Sequence, residues 1–174
     1  MITNLEEALA GLKMQKDDFI EIIKGLPKEV IDRPPNGKTW NVSQVLEHVI
    51  VSERGTLGYM IKKTSSGWEE IEIATEEHAH EATKLHDALV SDKKWAAPSV
   101  LPKPTGERTL EHQFAFWNGV RSKYHEFLGG LDANFHVRQV FRHPYAGRLN
   151  LWQTLDFLTN HIVHHKHQIK RMSL

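Results

Sequence analysis

Apolar residues recur at steps of three and four along most of this chain, and that spacing predicts helices. Leu5, Leu9, Leu12, Phe19, Ile22, Ile23 and Leu26 mark a first helix over residues 5–26, ended by Gly25 and Pro27. A loop over 27–38 carries Pro34-Pro35-Asn36-Gly37. Asn41 or Thr39 caps a second helix over 42–63, whose apolar side holds Val42, Val45, Leu46, Val49, Leu57 and Met60. Ser65-Ser66-Gly67 breaks it. A third helix over 75–92 is weaker in pattern, with Ala82, Leu85, Ala88 and Leu89 on its apolar side. Pro98, Pro102, Pro104 and Gly106 mark a long connection. A fourth helix over 108–129 shows the stripe Leu110, Phe114, Trp117, Tyr124, Leu128 and stops at Gly129-Gly130. Residues 135–148 read as extended or irregular with a turn, a short strand being one reading, and a last helix covers 150–171. Five helices and little strand signal predict an all-α antiparallel bundle. Long crossovers at 64–74, 93–107 and 130–148 disfavour a simple up-down-up-down order.

Composition narrows the options. With 174 residues the expectation is one domain over 1–174. Lys+Arg and Asp+Glu are both 22, so no basic excess points to nucleic acid. The first residues, Met1-Ile-Thr-Asn-Leu-Glu-Glu, lack a positive and then apolar leader, and no apolar run approaches the roughly 20 residues that span a bilayer. Cysteine is absent, which suits a reducing cytoplasm and restricts any metal site to histidine and carboxylate. Thiol chemistry here would need a thiol brought by a substrate.

The candidate chemistry lies near the C-terminus, where four of the twelve histidines fall within Asn160-His161-Ile162-Val163-His164-His165-Lys166-His167-Gln168. His161 and His165 are four apart, one helical turn, so their imidazoles share a face as a pair of divalent-metal ligands. At 100° per residue, the apolar residues Leu151, Leu155, Leu158, Ile162 and Ile169 centre about 90° from His161, and His165 lies at about 40°. His164 and His167 fall at about 300° and 240°, pointing away, and read as solvated surface residues. A third ligand must come from elsewhere. His48, at the margin of the second helix's apolar face with Ser52 and Tyr59 along the same edge, is the best candidate. An ordinary boundary histidine is the competing reading of each taken singly.

Arg121 sits in the middle of the apolar stripe of the fourth helix. A guanidinium there needs a partner, because an unpaired buried charge costs several kcal/mol. Glu53 offers a structural ion pair; the alternative is that Arg121 holds a substrate carboxylate. Trp40, just ahead of the second helix, either walls a substrate pocket or staples the helix start. No glycine-rich phosphate loop, no Gly-x-Ser-x-Gly elbow and no His-Glu-x-x-His occurs, position 162 being Ile.

Three blocks together, Trp40-Asn-Val-Ser-Gln-Val-Leu-Glu-His48, His143-Pro-Tyr-Ala-Gly147-Arg-Leu and His161-x-x-x-His165-x-x-Gln168-Ile169, resemble the DinB/YfiT-like superfamily in order and spacing over nearly the whole chain. The resemblance implies a four-helix bundle, often homodimeric, with a divalent metal such as zinc or nickel on His48, His161 and His165. It places Gln168 near the site but not as a ligand, and it gives no counterpart for Arg121. It also implies a metal-dependent transferase that activates a low-molecular-weight thiol of the bacillithiol or mycothiol type for attack on an electrophile. The alternatives are a metal-dependent hydrolase and a non-catalytic metal-binding stress-response protein.

Overall fold

A computed structural model describes residues 4–34, 36, 38–91 and 97–173. Among the described residues six α-helices form: α1 (Leu5–Lys24), α2 (Lys28–Ile31), α3 (Val42–Thr64), α4 (Glu76–Val90), α5 (Leu110–Gly129) and α6 (Leu151–Lys170). The expected end of the third helix at residue 92, residues 93–96 of the following crossover, and Pro35 and Gly37 of the first loop lie outside the described residues. Among the described residues, no helix is long and apolar enough to cross a membrane.

Helices α1, α6, α3 and α5 pack in a closed ring, each against the next, and α4 lies outside the ring on α6. The buried apolar residues make one contiguous cluster, with Leu12, Phe19, Leu46, Met60, Trp117 and Leu155 among its fully buried members. The amphipathic stripes read from the sequence therefore do converge on a shared core.

The caps explain where the functional helices begin. Asn41, not Thr39, starts α3: its side chain accepts from the Gln44 amide at 2.9 Å, and the Gln44 side chain accepts from the Asn41 amide at 3.1 Å. Asn150 and Gln153 form the same reciprocal pair at the start of α6, both bonds 2.9 Å. These two boundaries fix the register of His48 and of His161 and His165.

Two features were not legible as elements, and a third was legible only in part. Residues 28–31 form a short helix inside the predicted loop. Residues 133–137 make a 3₁₀ turn, and the stretch read as irregular with a turn closes as an antiparallel hairpin, β1 (Phe141–His143) with β2 (Gly147–Leu149). Strands of three residues are too short to show a period of two. The turn depends on Gly147, whose φ of +69° is the left-handed region that glycine enters freely.

The proline-rich connection is strapped to α3. Glu47 accepts the amides of Thr105 and Gly106 at 2.9 and 2.8 Å, and Gln44 donates to the Pro104 carbonyl at 3.1 Å. Gly106 has φ +72°, and a Cβ there would stand 2.8 Å from Gln44 Cγ, so the close approach requires glycine.

Candidate metal centre

Helix α3 contributes His48 and α6 contributes His161 and His165. All three are buried, and their ligand atoms lie within 4.8 Å of one another. His48 Nε2 is 3.2 Å from His161 Nε2, which is 3.1 Å from His165 Nε2. The separations fit metal ligation. Nitrogens about 2.0–2.1 Å from a shared ion sit roughly 3 Å apart along the edges of its coordination shell.

Proton counting points the same way. His165 Nδ1 donates to Gln168 Oε1 at 2.7 Å, which leaves its Nε2 with a bare lone pair facing the other two rings. His161 Nε2 then faces two nitrogens, and its single proton cannot make a good hydrogen bond to both. His161 Nδ1 is buried with no partner, so neither tautomer of that ring is fully satisfied. A cation accepting three lone pairs resolves the conflict at Nε2. Burial also keeps these rings neutral, as ligands must be. It pushes His48 down to about 4 and His165 to about 3, and His161 well below the ordinary value of 6.5, with the neighbouring imidazoles adding to the effect.

The three histidines lie at one side of a cavity of about 1010 Å³. Trp40, tilted over His48 with ring centroids 4.9 Å apart, lines it, as do Ser52 and Tyr59 from the polar edge of α3. Leu85, Ala88 and Leu89 of α4 line it too. Of the four apolar-side residues of this helix only Leu89 is buried, while Ala82 and Leu85 are partly buried against the core, in keeping with the helix's weak pattern.

One side chain lies elsewhere than a helical wheel places it. His164 is not a solvated residue. It is half-buried, lines the cavity, and its Nδ1 is 3.3 Å from the Leu89 carbonyl. The wheel assumed one inward face, whereas α6 is covered by the bundle on one side and by α4 on the other. His167 is exposed as expected.

Arg121 is not brought to this cavity. Its Nη2 donates to Glu53 Oε1 at 2.5 Å, Trp117 Nε1 donates to Glu53 Oε2 at 2.6 Å, and the Tyr124 hydroxyl donates to the Glu53 carbonyl at 2.9 Å. Burial pushes the Glu53 carboxyl up, against the opposing pull of Arg121 and the Trp117 indole. Arg121 borders a separate cavity of about 210 Å³ between α1 and α5. The geometry is that of an internal ion pair.

One cavity residue was missed as a site residue. His143, buried on β1, lines the cavity and packs on Phe157, which also packs on His161, at ring distances of 4.6 and 5.5 Å. Its signal was the His143-Pro-Tyr-Ala-Gly147 block, noted for its place in a pattern and given no chemistry.

A family model for the DinB superfamily matches residues 12–169. The chain belongs to the DinB superfamily. No match was found among curated proteins or among solved structures. This DinB protein is thus a helical bundle with a histidine cluster that could hold a metal ion, as its family does.

Proposed function

We propose that this DinB protein is a metal-dependent S-transferase that joins a low-molecular-weight thiol to an electrophile. The observation that carries the reading is the convergence of three buried imidazole nitrogens beside a cavity large enough for two small substrates. His48, His161 and His165 would hold a divalent cation, zinc and nickel both suiting three imidazoles. When bound, it would supply a positive charge that favours a thiolate over a thiol near neutral pH and leave positions open to small ligands.

The chain's own residues bind and orient. Gln168 fixes the tautomer and tilt of His165 through its 2.7 Å hydrogen bond. Trp40, Tyr59 and Phe157 provide apolar walls that exclude water from the reacting sulfur. The chain has no cysteine, so the nucleophilic sulfur comes with the co-substrate. In the reaction a carbon–sulfur bond forms as the electrophile's leaving group departs, and the thiol's proton passes to solvent.

The test uses untagged protein, since a histidine tag binds metal itself. Elemental analysis should give one divalent ion per chain. Incubation with bacillithiol or mycothiol and a generic electrophile should give a thioether faster with loaded than with stripped protein. Stoichiometric metal without thiol-dependent turnover would overturn the transferase reading. Hydrolysis of an ester in place of thiol transfer would favour a hydrolase.

A further inference from the structure

His143 is a cavity histidine whose Nδ1 is held by two backbone amides. The amides of Tyr145 and Ala146, in the turn of the hairpin, both point at its Nδ1 from 3.2 Å. An imidazole nitrogen that receives two N–H groups carries no proton itself, so the neutral ring holds its proton on Nε2. The residue is 6% exposed. With Nδ1 turned to the hairpin, the Nε2–H lies across the ring from it, and the residue lines the cavity. Such a group can donate and cannot accept.

The charges around it agree. Arg33, Lys38 and Arg142 are among the residues that line the cavity, and its single carboxylate among the described lining residues, Glu81, is paired with Lys84 at 2.6 Å. We propose that His143 is a fixed hydrogen-bond donor for an anionic oxygen of the substrate, so that the cavity selects an oxyanion- or carboxylate-bearing ligand over a neutral one. This rests on the transferase reading only for the identity of the reaction. There the oxygen would belong to the electrophile, and His143 would be a positioning residue for it.

Asn separates the two roles of this ring. In His143→Asn the amide oxygen can replace Nδ1 as acceptor for the turn amides, and nothing replaces the Nε2–H. Acetate and its neutral isostere acetamide serve as probes, with ¹⁵N-histidine spectra of the zinc-loaded full chain as readout. The expected wild-type spectrum shows a proton-free Nδ1 and a protonated Nε2 for His143, assigned by its loss in the variant. Acetate should shift that Nε2–H saturably, and acetamide should bind at least about tenfold more weakly. His143→Asn should keep its zinc and melting temperature and bind acetate about tenfold more weakly.

A proton on Nδ1, equal binding of the two probes, or equal acetate affinity in the variant would each overturn the proposal. If His143→Asn fails to fold, the wild-type tautomer and titration decide alone. If the wild-type chain takes up no zinc, the metal reading fails, and the same titration on metal-free protein still judges His143.

Discussion

Arg121→Met removes one partner of an ion pair whose other member, Glu53, is fully buried. The methionine fills the aliphatic volume, so the main effect is electrostatic. Glu53 keeps only the Trp117 indole on its carboxylate, because the Tyr124 hydroxyl serves the Glu53 carbonyl and cannot compensate. Leaving such a charge unpaired costs about 3–5 kcal/mol. For a domain of this size each kcal/mol lowers Tm by about 2–4 °C, so the variant should melt some 6–20 °C below the parent. Burial already pushes Glu53 up, and losing Arg121 pushes it further. The sign follows: the folded state then binds a proton more readily than the unfolded chain, whose Glu titrates near 4.3. The deficit relative to wild type should be small near pH 5 and grow toward pH 8. Adding Glu53→Gln should recover most of it, and denaturant titrations of all four proteins close the cycle. Metal content should not change, since Arg121 lies away from the histidine cavity. A loss under about 1 kcal/mol at pH 8, or an undiminished loss in the double variant, would refute the ion-pair argument.

His48→Ala, His161→Ala and His165→Ala should each abolish metal retention, while His164→Ala and His167→Ala keep it, as elemental analysis of untagged protein will tell. Gln168→Leu should keep the fold and weaken zinc affinity about 10–100-fold in competition with a chelator, because His165 loses the acceptor that fixes its tautomer. In metal-free protein, burial holds His48 and His143 near 4 and His165 near 3, all below the unfolded value of 6.5. Their contribution is therefore present above pH 6.5 and lost as pH falls toward about 4, on the order of 2 kcal/mol per histidine by pH 5. A denaturation midpoint that does not change between pH 7 and pH 5 would count against their neutrality in the folded state.

How far the sequence could be read depended on the range of the physics. Stripes of three- and four-residue spacing located α1, α3, α5 and α6 to within a few residues, because burial of one face is a local pattern with a global cause. The same argument selected His161 and His165 over His167. It misplaced His164, because a wheel sees one partner surface and α6 has two. It found Arg121 inward and named Glu53, since a charge in an apolar stripe demands a counter-charge, yet it could not choose between a partner and a substrate. Only the packing of α3 against α5 does that. His143 escaped for another reason. Its chemistry lies in two backbone amides of a three-residue turn, and no pattern of side-chain types reports where an amide points.

The arrangement of the three ligands gives the candidate centre a structural consequence as well as a chemical one. His48 belongs to α3 and the other two to α6, so an ion held by all three ties together two neighbouring members of the helix ring. Without it, three buried rings hold nitrogens 3.1–3.2 Å apart with too few protons to pair them, and His161 Nδ1 has no partner. Each unsatisfied buried polar atom costs about 1–3 kcal/mol. That cost is borne by the folded state alone, because in the unfolded chain water satisfies every ring. An ion that binds the folded chain and not the unfolded one adds stability as RT ln(1 + [L]/Kd), about 4 kcal/mol at a thousandfold excess over Kd. Relief of the imidazole conflict is part of the intrinsic affinity that sets this Kd, so metal affinity and the stability of the α3–α6 contact rise and fall together.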